Sequence, residues 1–196
     1  MTVVENDRIV MAESSDEWTL DAMFEALEEM HVPEGFKTEI VGGTIVMTPQ
    51  RANHWDIILG IIEQLRTKYP RKRVLSDVRI DYPGRLNGFA TDVTLIAEGA
   101  GPDDKGRFHH KDVVFVAEVI SRGTGLNDYG PKKDAYAAAG VPVYLIVDPY
   151  TGKWVVHTQP KDGEYTDEAR SVFGRPVDLT GTPVGLVLAT DDFARD

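Results

Sequence analysis

An α/β domain is the fold class that the amino-acid sequence predicts, and three stretches predict it. VVFVAEVI (113–120) and VPVYLIVDP (141–149) are apolar enough to be buried strands, and the segment between them, about 128–139, has helical spacing. Strand, helix and strand in that order form a right-handed crossover unit whose strands run parallel as near neighbours. KTEIVGGTIVMTP (37–49) holds two short β-prone runs around Gly42-Gly43, the signature of an antiparallel hairpin. Parallel and antiparallel pairs together describe a mixed β-sheet flanked by helices.

The other elements follow in chain order. Residues 1–14 are polar and irregular and are expected to form a flexible N-terminal tail; 15–196 then make a single domain, since no repeat or linker interrupts them. Ser15, Asp16 or Thr19 can cap a first helix whose Leu20, Met23, Phe24 and Leu27 recur at helical spacing, and which His31-Val32-Pro33 ends. A second helix, 53–69, carries Ile57, Ile58, Ile61, Ile62 and Leu65 as one apolar stripe. Strands are expected over 74–81, 89–97 and 113–120, with the polar stretch 98–112 a flexible loop. Gly140 suits the C-terminal cap of the third helix. TGKWVVHTQ (151–159) pairs back on the 141–149 strand, and short strands such as GLVLAT (185–190) complete the chain.

Composition narrows the function classes. A chain of 196 residues, 42% hydrophobic and 27% charged, has the make-up of a globular domain with a real core. It has no apolar run near the ~18 residues of a membrane span and no signal-peptide pattern at its start, so no membrane partner is expected and a cytoplasmic address fits. Zero cysteines exclude disulfides, a thiol nucleophile and thiolate metal sites. The net charge of −11 argues against a protein that coats nucleic acid, though local charge decides docking. RTKYPRKR (66–73) concentrates Arg66, Lys68, Arg71, Lys72 and Arg73; it reads as a solvated helix end, or as a phosphate-facing patch if it lies beside the acids. No phosphate-binding glycine loop, dinucleotide fingerprint or serine elbow is present.

The chemistry concentrates in two acids. Asp92 in FATDVTLIA and Glu118 in VVFVAEVIS each interrupt a run that reads as a buried strand, and a buried ionised carboxylate demands a cation. Glu118 shares a strand face with Val116 and Ile120, while Phe115, Ala117 and Val119 face the other way. If neighbouring strands place the two acids side by side, they suit a divalent, oxygen-loving ion, Mg2+ or Mn2+, with the Val119 backbone carbonyl as a further ligand. On the third helix Lys132 and Tyr136 share the inward side and Lys133 points away, so Lys132 is the amine expected at the site. Two carboxylates and one amine are the minimum equipment for metal-assisted hydrolysis of a phosphodiester.

TEIVGGTIVMTP, His54 at a helix start, TDVTLI, AEVIS, DYGPKK with Tyr136, and GVPVYLIVDP occur in that order between Glu39 and Pro149. This ordered set resembles the Uma-type restriction endonuclease family, a branch of the PD-(D/E)XK nuclease superfamily. The resemblance implies a restriction-endonuclease-like core with the acids at one sheet edge, and makes Asp92 and Glu118 the two metal-binding acids. It makes Glu39 an auxiliary acid of the catalytic site. Thr91 stands in place of the proline of the superfamily's name, and Ile120 in place of its lysine. In the Uma-type branch that lysine has moved to the following helix, where Lys132 occupies the matching place. His54 reads as a helix-start residue, His109-His110 as surface, and Asp148 as a turn residue.

The function so implied is divalent-metal-dependent hydrolysis of DNA, with DNA as partner and a homodimer expected by analogy with nucleases that cut both strands. Two rival classes stay open: a nucleic-acid-binding or regulatory module without turnover, and a structural arrangement in which the acids merely pair with Lys132 or arginines. On the nuclease reading, replacing Lys132 removes rate but leaves the fold intact. Replacing Asp92 relieves carboxylate repulsion and stabilises the metal-free protein.

Overall fold

The structure, a computed structural model, describes residues 8–9 and 18–196. Of the stretch read as a tail, Arg8–Ile9 forms a short strand, β1, and the remainder lies outside the described residues, as do Ser15 and Asp16. Helix α1 (Leu20–Glu29) starts at Thr19, whose hydroxyl accepts from the Ala22 amide at 3.1 Å. The hairpin of β2 (Phe36–Val41) and β3 (Thr44–Pro49) follows, with Glu39 opposite Val46. Helix α2 spans Ala52–Arg66.

The expected single sheet is realised as two six-stranded sheets, with a separate two-stranded pair near the C-terminus, because two of the anticipated strands break. The 74–81 run divides into β4 (Val74–Leu75) and β5 (Arg79–Tyr82); the 89–97 run divides into β6 (Asn87–Ala90) and β7 (Val93–Ile96). The breaks are coupled: Asp77 takes a left-handed conformation (φ 58°), and its amide donates to the Thr91 carbonyl at 3.0 Å. An aspartate tolerates that conformation better than most side chains. Both chains thereby leave one sheet and enter the other together, and Asp92 sits in the break between strands instead of inside one.

The loop expected over 98–112 contains β8 (Phe108–His109), parallel to β5, because Phe108 packs onto the core while its polar neighbours stay outside. Strand β9 (Val113–Val119) leads into a continuous helical segment: α3 (Gly125–Asn127), a π-helical turn (Asp128–Lys132) and α4 (Lys133–Ala138). The segment starts earlier than the spacing suggests. Pro131 lies inside the π turn, where a residue without an amide hydrogen disrupts regular α-helical bonding. Gly140 (φ 73°) ends α4, with the Val141 amide bonded back to the Tyr136 carbonyl at 3.0 Å.

Strands β10 (Val143–Asp148), β11 (Lys153–Lys161) and β12 (Glu164–Val172) form an antiparallel meander, and β13 (Val177–Asp178) pairs with β14 (Val187–Leu188). The first sheet runs β1-β3-β2-β6-β5-β8 and the second β12-β11-β10-β9-β7-β4, with β9 and β10 parallel as the crossover unit requires.

Three apolar clusters hold these layers. Ile57, Ile58, Ile61 and Leu65 of α2 pack on Phe115, Ala117, Leu145 and Val147, the outer face of the second sheet. Between the sheets, Val46, Ile80, Tyr82 and Phe89 meet Val116, Ile120, Tyr144 and the helical residues Ala135 and Tyr136. On the far side of the first sheet, Met23 and Leu27 cover Ile40 and Ile45. Gly88 permits that close approach, since a Cβ there would lie 2.5 Å from the Phe24 ring. Glu118 projects from the face of β9 that meets the inter-sheet cluster, as the strand period predicts. None of the helices among the described residues is long and apolar enough to cross a membrane.

Candidate active site

Four elements deliver charged side chains to one cleft between the sheets. β2 presents Lys37 and Glu39, two residues apart and therefore on one face; the β6–β7 break presents Asp92; β9 presents Glu118; the π turn presents Asp128 and Lys132. All six are buried, yet the cleft opens to solvent and leaves about 10 Å³ for the centre of a water-sized molecule, room for roughly one water or ion.

Lys132 Nζ bridges three acids: Glu39 Oε2 at 2.7 Å, Glu118 Oε1 at 3.0 Å and Asp128 Oδ1 at 3.3 Å. The Tyr136 hydroxyl donates to the same Glu118 oxygen at 2.6 Å. Glu39 Oε1 accepts from the Ala90 amide at 3.0 Å, which ties the hairpin to β6. Asp92 is held from two sides. Its Oδ1 accepts from Lys37 Nζ at 2.6 Å, and its Oδ2 accepts from the Val119 amide at 2.8 Å. The Asp92 amide in turn lies 3.4 Å from Glu118 Oε2. The two acids that the sequence singles out thus converge and do not point to opposite faces.

His54 is no mere helix-start residue. Its Nε2 lies 2.9 Å from the Val119 carbonyl and 3.3 Å from Asp92 Oδ2. A carbonyl only accepts, so Nε2 carries the proton, and Nδ1 is buried with no hydrogen-bond partner among the described residues. The signal was present in the spacing: His54 precedes Ile57, Ile58 and Ile61 by three, four and seven positions, so it shares their buried stripe. Lys37 and Asp128 were missed as well, although Lys37 must share the inward face of Glu39 and Asp128 lies one helical turn before Lys132.

The acids respond differently to burial. Burial pushes the Glu118 carboxyl up to about 8, against the pull of Lys132 and Lys37, with Asp92 and Glu39 adding to the rise. Asp128 rises to about 6, again through burial opposed by Lys132. Burial acts on Asp92 in the same sense, but Lys37 and His54 outweigh it and hold that carboxyl well below the usual range. For Lys132, burial works to lower the amine, yet Glu118, Glu39 and Asp128 keep it firmly protonated.

These contacts argue against both stability expectations. Lys132 bridges three buried acids, so removing it strips them of their partner; removing Asp92 strands the Lys37 ammonium in the interior. Either change breaks a buried pair, which destabilises strongly.

The other candidates lie elsewhere. Lys133 is half-buried beside His157 and Glu168 on the far side of the helix. His109 is exposed, and His110 Nδ1 bonds the Asp81 carbonyl at 3.0 Å. Asp148 accepts from the Tyr150 and Thr151 amides in its turn. None of the five cations of 66–73 lines the cleft; Lys68 caps the Val184 and Gly185 carbonyls, and Arg73 donates to the Ile96 carbonyl.

The donor set suits a hard cation. Carboxylate and carbonyl oxygens are the ligands of magnesium and manganese. With every carboxylate ionised, Glu39, Asp92, Glu118 and Asp128 exceed Lys37 and Lys132 by two negative charges. As they stand, however, no three acid or histidine side chains among the described residues are grouped so as to hold a metal ion.

Residues 22–191 match the family described as "Uma2: Putative restriction endonuclease". A crystal structure described as a putative nuclease belonging to DUF820 from Anabaena variabilis ATCC 29413 superposes with a TM-score of 0.68. It is 13% identical, and the match covers 90% of this chain and 97% of that one, so the likeness is one of fold. No curated protein matches.

Proposed function

The chain belongs to the Uma2 family, and from that membership and the cleft's geometry we propose that it hydrolyses phosphodiester bonds in DNA with Mg2+ or Mn2+ as cofactor. One observation carries the reading: Glu39, Asp92, Glu118 and Lys132 come from four separate elements and converge in a single buried cleft that opens to solvent.

Asp92, Glu118 and the Val119 carbonyl would hold the ion, which when bound supplies positive charge against the phosphate and makes water more acidic. The protein's own groups do the rest. Lys132 offsets the negative charge that builds on the phosphate as water adds to phosphorus and the ester oxygen leaves. Glu39 and Asp128 fix the Lys132 amine, and Tyr136 fixes the Glu118 carboxylate, so neither has to reorganise during the reaction. The Phe89 ring, its centroid 5.6 Å from Lys132 Nζ, adds a cation–π contact that favours the charged amine.

The test is cleavage of plasmid DNA by purified protein. Nicking should require Mg2+ or Mn2+, stop on chelation, and fall ~10²–10³-fold in Lys132→Met, which keeps the side-chain volume. Circular dichroism checks that the variant is folded. DNA retention without cleavage would identify a binding module, and equal cutting by Lys132→Met would overturn the mechanism.

A further inference from the structure

We propose that the Lys37 ammonium is a built-in counter-ion that holds the place of the divalent cation between Asp92 and Glu118, and that the cation binds only as this amine withdraws. The inference rests on the metal-dependent reading above and adds to it a residue and an order of events.

Lys37 Nζ lies 2.6 Å from Asp92 Oδ1 and 3.9 Å from both Glu118 Oε2 and Glu39 Oε2. Lys132 reaches Glu118 through the other oxygen, Oε1. The two lysines therefore divide Glu118 between them, and Lys37 stands between Asp92 Oδ1 and Glu118 Oε2, one oxygen of each acid. An ion shared by these acids needs the same space, and two cations at that range repel strongly in a buried setting. This occupancy explains why the right donors are present without a group of three poised around an ion.

Lys37 is also the lysine built to move. Lys132 is clamped by three carboxylates within 3.3 Å, whereas Lys37 has one close partner. Lys37 keeps 9% of its surface exposed, against 3% for Lys132, and its four-carbon stem can carry the amine toward solvent while β2 stays in place. Withdrawal exchanges a single positive charge for a double one, so that with every carboxylate ionised the surplus over these groups falls from two negative charges to one.

Two measurements test this. The first is calorimetric titration of Mn2+ into the wild-type protein, Lys37→Met and Lys37→Arg. Lys37→Met should bind at least ~10-fold more tightly, because no cation competes, and Lys37→Arg should not. Wild-type binding with no tightening in folded Lys37→Met would overturn the displacement and leave the metal reading standing. No binding by either protein would overturn both. The second needs no variant: acetic anhydride labelling of the wild-type protein, read by mass spectrometry with and without saturating Mn2+. Labelling of Lys37 should rise several-fold with Mn2+ while Lys132 stays protected. Unchanged Lys37 labelling at saturation would overturn the proposal.

Discussion

Along β9, Phe115, Ala117 and Val119 face α2, while Val116 and Glu118 face the helical segment and the first sheet. The outer face is closed by aliphatic contacts, with Ile61, Leu65, Val143 and Leu145 fully buried. The inner face carries aromatic rings whose hydroxyls have work to do: Tyr136 packs edge-on to Tyr82 at 4.9 Å while its hydroxyl holds Glu118, and the Tyr144 hydroxyl holds the Asp128 carbonyl. One strand thus supports two kinds of order. Dispersion and the hydrophobic effect secure the outer face, which depends on volume; directional pairing secures the inner one, which depends on every partner being present.

The sharpest way to break that contrast is to remove one partner on each side. Asp92→Ala should lower stability by ~3–5 kcal/mol by stranding Lys37, and Asp92→Ala with Lys37→Met should recover much of it, both read by urea unfolding. If the single variant is as stable as the parent, the inner face does not depend on pairing. Leu145→Ala, on the outer face, should cost ~2–5 kcal/mol in the same assay, yet leave DNA cleavage per folded molecule unchanged.

A subtler effect is pH dependence. Glu118 ionises only near 8 in the folded protein, against an ordinary value of 4.5, because burial disfavours its charge. Between those values the folded state binds the extra proton, so metal-free stability should fall as pH rises from about 5 to about 8. Asp128 and His54, both raised, act in the same sense; His157, lowered by burial, acts in the opposite one. The difference between wild type and Glu118→Gln in thermal melts isolates the term, and Glu118→Gln should flatten the decline. The smallest effect belongs to Lys133→Ala, which should change stability by no more than ~0.5 kcal/mol and leave cleavage untouched.

Much of this architecture was legible where one physical period dominates. The apolar stripe of α2, the hairpin around Gly42-Gly43, the two faces of β9 and the inward turn of Lys132 all follow from spacing alone. The break at Thr91-Asp92 was not, because β-prone residues continue on both sides and the break is set by tertiary partners, the Asp77 amide and the Val119 amide. Phe108 in its polar loop failed for the same reason: two residues of strand carry no periodicity. Lys37 and His54 obeyed their periods, but a lysine on a short strand and a histidine at a helix start are so often solvated that their positions alone did not single them out.

The cluster joins parts of the chain that are far apart in sequence. Lys37 and Asp92 are separated by 55 residues, and Lys132 and Glu39 by 93. The hairpin belongs to one sheet and Glu118 to the other, so an isolated half of the chain holds only part of the set. Contacts of such long range require the loops between them to close, at a cost in chain entropy. A nascent or partly unfolded chain therefore carries scattered acids and amines, and the complete constellation exists only where the two sheets meet.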